Sequence, residues 1–141
     1  MKKYYILVGD EKTWQYAFKD NIWGFSPKTK GLWKTTLPGD IFAFYVIRPV
    51  KKIIGFGRLI EKFESHSLYW PDELLFKKIM WPFRLQLEII HIIDNWEEGI
   101  SIPSTFILNQ GRKKVNESDF SKFVKNAEDK WKIRIPKILT M

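Results

Sequence analysis

The chain contains no cysteine. That absence removes a disulfide framework, a thiol nucleophile and any cysteine-bearing zinc or iron–sulfur site. It has only two histidines, His66 and His91, far apart in the sequence, with no HExxH pair, no GxSxG elbow and no phosphate-binding P-loop. Gly55-Phe56-Gly57 resembles the start of a dinucleotide fingerprint, but it lies inside a strand pattern, with no third glycine at the required offset. Long apolar runs are missing as well. The stretch Ile41 to Ile47 is strand-sized, far below the roughly 20 residues of a membrane-spanning helix. The apolar run from Tyr4 meets Gly9-Asp10 too soon for a signal peptide. The sequence therefore predicts a soluble, cytoplasmic, standalone protein that is not an enzyme and uses neither metal nor cofactor. Adjacent carboxylates do occur, at Asp72-Glu73 and Glu97-Glu98. Neighbouring residues rarely face one reacting atom, so both pairs read as solvated loop faces, and His91 as a satisfied core or edge residue.

What is present is aromatic and basic. With 45% hydrophobic residues, 11 Phe, 7 Trp and 5 Tyr over 141 residues, the chain can bury one sizeable core, so residues 1–141 read as a single domain. The formal net charge of +8 suits a polyanionic partner. The competing explanation is a proteome rich in Lys and Ile, in which such a balance names no partner.

The pattern of elements is α+β. Tyr4 to Val8 predicts a strand closed at Gly9-Asp10, and Asp10 caps a short helix with Trp14, Ala17 and Phe18 on one face and Asn21 as a left-handed stop. Ile22-Trp23-Gly24-Phe25 leads into SPKTKG, residues 26–31, read as an exposed basic loop. Leu37-Pro38-Gly39-Asp40 is a type II turn launching a strand from Ile41 to Ile47, and Arg48-Pro49 turns into a strand from Lys52 to Phe63. Gly55 and Gly57 mark places where that strand bends or another backbone approaches. After an irregular stretch from His66 to Trp81, Phe83 to Ile93 is a strand whose broken alternation implies either a bulge or burial on both faces. Residues 112–114 read as loop, Asn116 to Ser118 cap a second helix bearing Phe120, Phe123, Val124, Ala127 and Trp131, and Ile133 and Ile135 suggest a terminal strand. The order points to a small antiparallel barrel flanked by helices, without internal repeats.

Trp14 and Trp131 lie on helical apolar stripes and belong to the core, whereas Trp23, Trp33, Trp70 and Trp81 stand near Gly, Pro and Lys in loops. Aromatic planes that sandwich a base contribute about 1–3 kcal/mol per stacked base, so these four are candidate walls of a base-binding cage. Lys28, Lys30 and Lys34 follow Trp23, Lys77 and Lys78 lie between Trp70 and Trp81, and Arg112, Lys113 and Lys114 form a further cluster suited to phosphates. The alternative is that some of these tryptophans plug the barrel ends while the lysines only solubilise.

Taken together, YYILVGDEKTW, NIWGF, PGDIFAFYV, KKIIGFGRL, a Tyr-Trp loop and WPFRLQLEI resemble an EVE domain over Tyr4 to Ile93. EVE domains belong to the PUA-like superfamily and are relatives of the YTH domain. The resemblance implies a PUA-like barrel that binds nucleic acid, with a modified base held in an aromatic pocket. By position, Trp23 is similar to the first cage wall and Trp70 to the second, with Trp33 or Trp81 as substitutes for the latter. Asn21, the Gly24 backbone and Ser26 would hydrogen-bond the edge of the base. The expectation is a monomeric, non-catalytic module for RNA or DNA. Its rivals are a nucleotide or nucleoside binder, or an enzyme, using the same pocket, and a protein-interaction module.

Overall fold

The computed structural model describes residues 2–106, 108 and 111–136. Six strands and four helices follow one another as β1 (Tyr4–Gly9), α1 (Glu11–Asp20), β2 (Ile22–Phe25), α2 (Lys30–Thr35), β3 (Ile41–Val46), β4 (Lys52–Glu64), α3 (Pro71–Phe76), β5 (Phe83–Ile92), β6 (Gly111–Val115) and α4 (Glu117–Trp131). The strands form one curled sheet in the order β2-β5-β4-β3-β1-β6, flanked by the helices. The α+β architecture is as the sequence predicts, but the expected small antiparallel barrel is an open half-barrel with one parallel pair. Its pairs are antiparallel except β1 with β3, which run parallel because α1, β2 and α2 intervene as a crossover.

β1 and β3 read as continuous apolar runs because both faces are covered. Tyr4, Ile6 and Val8 with Ile41, Ala43 and Tyr45 face a cluster that includes Phe120, Phe123, Val124 and Ala127 of α4. Tyr5 and Leu7 with Phe42, Phe44 and Val46 face a second cluster that includes Trp14, Trp23 and Leu85. The expected caps and stop are present: the Asp10 carboxylate accepts from Thr13 N at 2.7 Å, Asn21 adopts φ 58°, and the Asn116 side chain accepts from Asp119 N at 2.7 Å. The turn before β3 has Gly39 at φ 93° and Asp40 N donating to Leu37 O at 3.0 Å.

The broken alternation of β5 is a bulge. Phe56 pairs with His91 and Gly57 with Ile89, so Ile90 has no partner. Ile90 packs on the α4 cluster, the adjacent His91 ring lies 5.6 Å from that of Trp131, and Ile92 returns to the other cluster. A second shift leaves Ile60 of β4 unpaired.

Four local readings are corrected. Residues 26–31 are not a loop: Pro27–Thr29 form a 3₁₀ turn leading into α2, because Pro27 presets the first turn and Leu32 and Trp33 have an apolar cluster to pack on. α3 interrupts the irregular stretch, again with proline, Pro71, in its first turn. Residues 112–114 belong to β6, paired along β1, where the backbone ladder of an otherwise open edge outweighs the polar side chains. Ile133 and Ile135 lie in irregular chain, held by Ile135 N donating to the Glu128 carboxylate at 2.8 Å. No described helix is long and apolar enough to cross a membrane.

At the β4–β5 bulge, a Cβ on Gly57 would stand 2.5 Å from Glu88 O and 2.6 Å from the Phe44 ring. Backbone cannot yield there as a flexible side chain would. Gly57→Ala is expected to destabilise the protein by about 1–3 kcal/mol, read as a lower urea midpoint at unchanged slope.

Candidate functional site

The two open edges of the sheet, β2 and β6, approach each other across α2. Arg112 of β6 donates through Nη1 to Leu32 O at 3.1 Å and Thr36 Oγ1 at 2.7 Å, closing the seam. At the carboxyl end of β1 this seam opens into a cavity of about 160 Å³. β2 and the residue after it supply Trp23, Gly24 and Ser26, the flanks of α3 supply Trp70 and Trp81, and the start of α1 supplies Asp10. The volume is below the roughly 300–1,000 Å³ of pockets for drug-sized ligands, which suits one flat ring system.

The walls are rigid for identifiable reasons. Trp23, 5% exposed, stacks on Trp14 at 4.1 Å between ring centres and 21° between planes, and Trp14 in turn stacks on Phe18 and donates through Nε1 to Tyr45 O at 2.9 Å. Opposite, Trp70 and Trp81 meet edge to face at 5.6 Å. They can lie over β2 because residue 24 is glycine: a Cβ there would be 2.6 Å from Trp70 Cη2 and 2.7 Å from Trp81 Cβ. The indole N–H groups of Trp23 and Trp70 are buried and have no acceptor among the described residues, each a cost of about 1–3 kcal/mol that a satisfied site would not carry.

The second wall is held from behind by Glu73, which is fully buried rather than on a solvated loop face. Its Oε1 accepts from Tyr69 N at 2.9 Å and Trp70 N at 3.3 Å, and its Oε2 from Met80 N at 2.9 Å and Trp81 N at 3.0 Å. One carboxylate thus ties together the two chain segments that carry Trp70 and Trp81. Arg84, equally buried, neutralises it at 3.2 Å, donates to Ser67 O and Trp81 O, and lies 5.2 Å from the Trp70 ring centre. Burial lowers the Arg84 pKa from its ordinary value, with Glu73 opposing. The Tyr69 hydroxyl anchors the same loop to α1, donating to Asp20 Oδ2 at 2.9 Å; burial first, then Asp20, raises its pKa.

Trp23, Gly24, Ser26, Trp70 and Trp81 therefore come together as the sequence suggests, and the other expected residues do not. Trp33 lines no part of the cavity: its Nε1 donates to Arg84 O at 3.0 Å and its ring packs on Phe83. Asn21 is the left-handed end of α1, and its carbonyl accepts from Leu87 N at 2.8 Å. Arg112 spends its guanidinium on the seam and on the Tyr5 ring, 4.1 Å away, where burial lowers its pKa, so it is a structural cation. Lys30 lies over the Phe83 ring at 4.9 Å. Lys28 and Lys34 are exposed on the 3₁₀ turn and α2, Lys113 and Lys114 stand on β6, and Lys77 and Lys78 follow α3. None of these cations lines the cavity, whose charged lining is Asp10 and Asp72. The sequence reading missed both carboxylates and the Glu73–Arg84 pair; the one local sign of the pair was Glu73 at the third position of a Pro-initiated helix.

Glu73→Gln keeps the size of the side chain but leaves the buried Arg84 charge uncompensated. It is expected to cost about 3–5 kcal/mol in urea denaturation and to shift tryptophan emission to the red as Trp70 and Trp81 loosen.

No protein-family model matches the chain, and no curated protein matches it. Solved structures do. The YTH domain-containing protein mmi1 in its complex with RNA superposes with a TM-score of 0.61 at 12% identity, covering 94% of this chain and 87% of that one. A second Mmi1 YTH domain complex with RNA gives 0.60 at 14%, covering 95% and 84%. ASCH from Zymomonas mobilis gives 0.56 at 14%, covering 87% and 94%. The chain shares the PUA-like fold of YTH and ASCH domains.

Proposed function

We propose that the protein is a non-catalytic, monomeric RNA-binding module that takes a single base, of the methylated kind, into the seam cavity. The observation that carries this reading is the cavity itself: about 160 Å³, walled by Trp23, Trp70 and Trp81, and edged by Ser26 and two carboxylates. Such walls offer stacking and an apolar home for a methyl group, while the hydroxyl and carboxylates face the donor groups of a base edge. The RNA complexes of the Mmi1 YTH domain support RNA as the polymer, and the WGF, PGD and GFG motifs support an EVE-type member of this fold. A free nucleotide fits less well, because no lysine or arginine lines the cavity to meet its phosphate.

The test is a titration of the protein with matched single-stranded RNA and DNA oligonucleotides, unmodified or carrying one methylated adenine or cytosine, followed by tryptophan fluorescence. One modified RNA is expected to bind best and to quench most. Trp81→Ala, at a half-buried side chain, is expected to weaken that complex about 5- to 150-fold, the equivalent of about 1–3 kcal/mol of stacking, while the melting temperature changes little. Equal affinity of wild type and variant overturns the base-insertion reading, and preference for DNA overturns the choice of polymer. Replacing the exposed Lys28 and Lys34 by Ala is expected to weaken all oligonucleotides about equally and to flatten the salt dependence.

A further inference from the structure

A second concavity, of about 640 Å³, opens beside the turn between β3 and β4, against residues 101–106. We propose that this groove is the phosphate-contacting track for the single-stranded nucleic acid whose base enters the seam cavity, an inference that rests on the base-insertion reading.

Charge separates the two concavities completely. Arg48, Lys51 and Lys52 line the groove and no carboxylate does, whereas Asp10 and Asp72 line the cavity and no cation does. A phosphodiester chain is repelled at the cavity mouth and attracted at the groove, while a neutral base is free to enter the cavity. Among the described residues the Arg48 and Lys51 side chains have no hydrogen-bond or ion-pair partner, and Lys52 makes only a long contact, Nζ to Ser101 Oγ at 3.3 Å. These cations differ from Arg112 and Lys30, which are already engaged by the protein. An arginine fork and two ammonium groups are donors suited to phosphate oxygens, and Ile47 and Phe106 give the same groove an apolar lining suited to sugar and base faces.

The groove also adjoins the cavity. Ile47 N, on the groove, donates to Gly9 O, on the cavity, at 3.0 Å, and β1 and β3 run parallel so that both openings lie at their common carboxyl end. Gly9 and Ile47 thus join the linings of the two concavities at one end of the sheet.

The experiment compares the full chain with a triple variant, Arg48→Gln, Lys51→Asn and Lys52→Gln, in which Asn suits the left-handed backbone of residue 51, φ 54°. A control variant removes three cations elsewhere, Lys122→Gln, Lys125→Gln and Lys132→Asn, on and just beyond α4. The probes are a short single-stranded RNA carrying N6-methyladenine, titrated at several salt concentrations, and free N6-methyladenosine. The groove variant is expected to bind the RNA about tenfold or more weakly at low salt. Its slope of log affinity against log salt should fall by about 2, at about 0.7 per lost phosphate contact, while nucleoside binding and control-variant binding stay at the wild-type level. An unchanged slope, or an equal loss in the control variant, overturns the groove. Loss in the groove variant without loss in Trp81→Ala sustains the groove and sinks base insertion; loss in Trp81→Ala alone does the reverse. If the wild-type protein binds no oligonucleotide, both fall.

Discussion

The Glu73 carboxylate, shut away from water, has to be satisfied on both oxygens, and the way it is satisfied shapes the whole tryptophan side of the cavity. Four backbone N–H groups from two separate segments converge on it, and Arg84 supplies the opposite charge from β5. A buried pair of this kind adds little net stability over an apolar replacement, but it is intolerant of losing one partner. Its consequence here is positional: the chain before α3 and the chain before β5 cannot drift apart, so Trp70 and Trp81 hold one geometry over Gly24. The opposite wall reaches the same end without charge, through the Trp23–Trp14–Phe18 stack rooted in the core.

Closure of the half-barrel is the second constraint. A sheet with edges at β2 and β6 must cover them, and the protein uses α2 with Arg112 as the latch. The cavity lies where that closure is incomplete, at the carboxyl end of β1. Most of its lining is backbone, aromatic ring or hydroxyl, so its two carboxylates act in a setting with few counter-charges nearby. The protein as a whole is basic, yet the charged groups lining the tryptophan-walled cavity are carboxylates. Net charge describes the molecule's field at a distance and does not locate a site.

Much of the architecture was readable along the chain. Asp10 and Asn116 were recognisable caps, Asn21 a left-handed stop and Gly39 the second central residue of a type II turn, because each effect acts within four residues of backbone. The uneven alternation in Phe83–Ile93 signalled a bulge without settling it, since the alternative, burial on both faces, produces the same pattern. Trp23, Gly24 and Ser26 could be placed at the site together because they lie within four residues of one another. Trp33, two turns of chain later, carried the same local signs of Gly and Lys neighbours, yet it packs on Phe83 and the Arg84 carbonyl. Asp72-Glu73 looked like a solvated pair, and no local rule distinguishes a carboxylate that will meet water from one that will meet four amides and a guanidinium.

The sequence by itself determined the identity and periodicity of the main strands and of α1 and α4, the positions of their caps and turns, and a stock of tryptophans and cations larger than a core requires. Those properties depend on neighbours a few residues apart, and the chain states them directly. Only the tertiary structure decided which tryptophans share a cavity, that β6 is a strand, that Arg112 latches the seam while Arg48 and Lys51 stand free of described partners, and that acidic and basic groups sort into separate concavities. The reason is that each of these depends on long-range pairing: β6 acquires its ladder from β1 more than a hundred residues earlier, and Glu73 acquires its partners from segments that only the curled sheet brings into hydrogen-bonding distance.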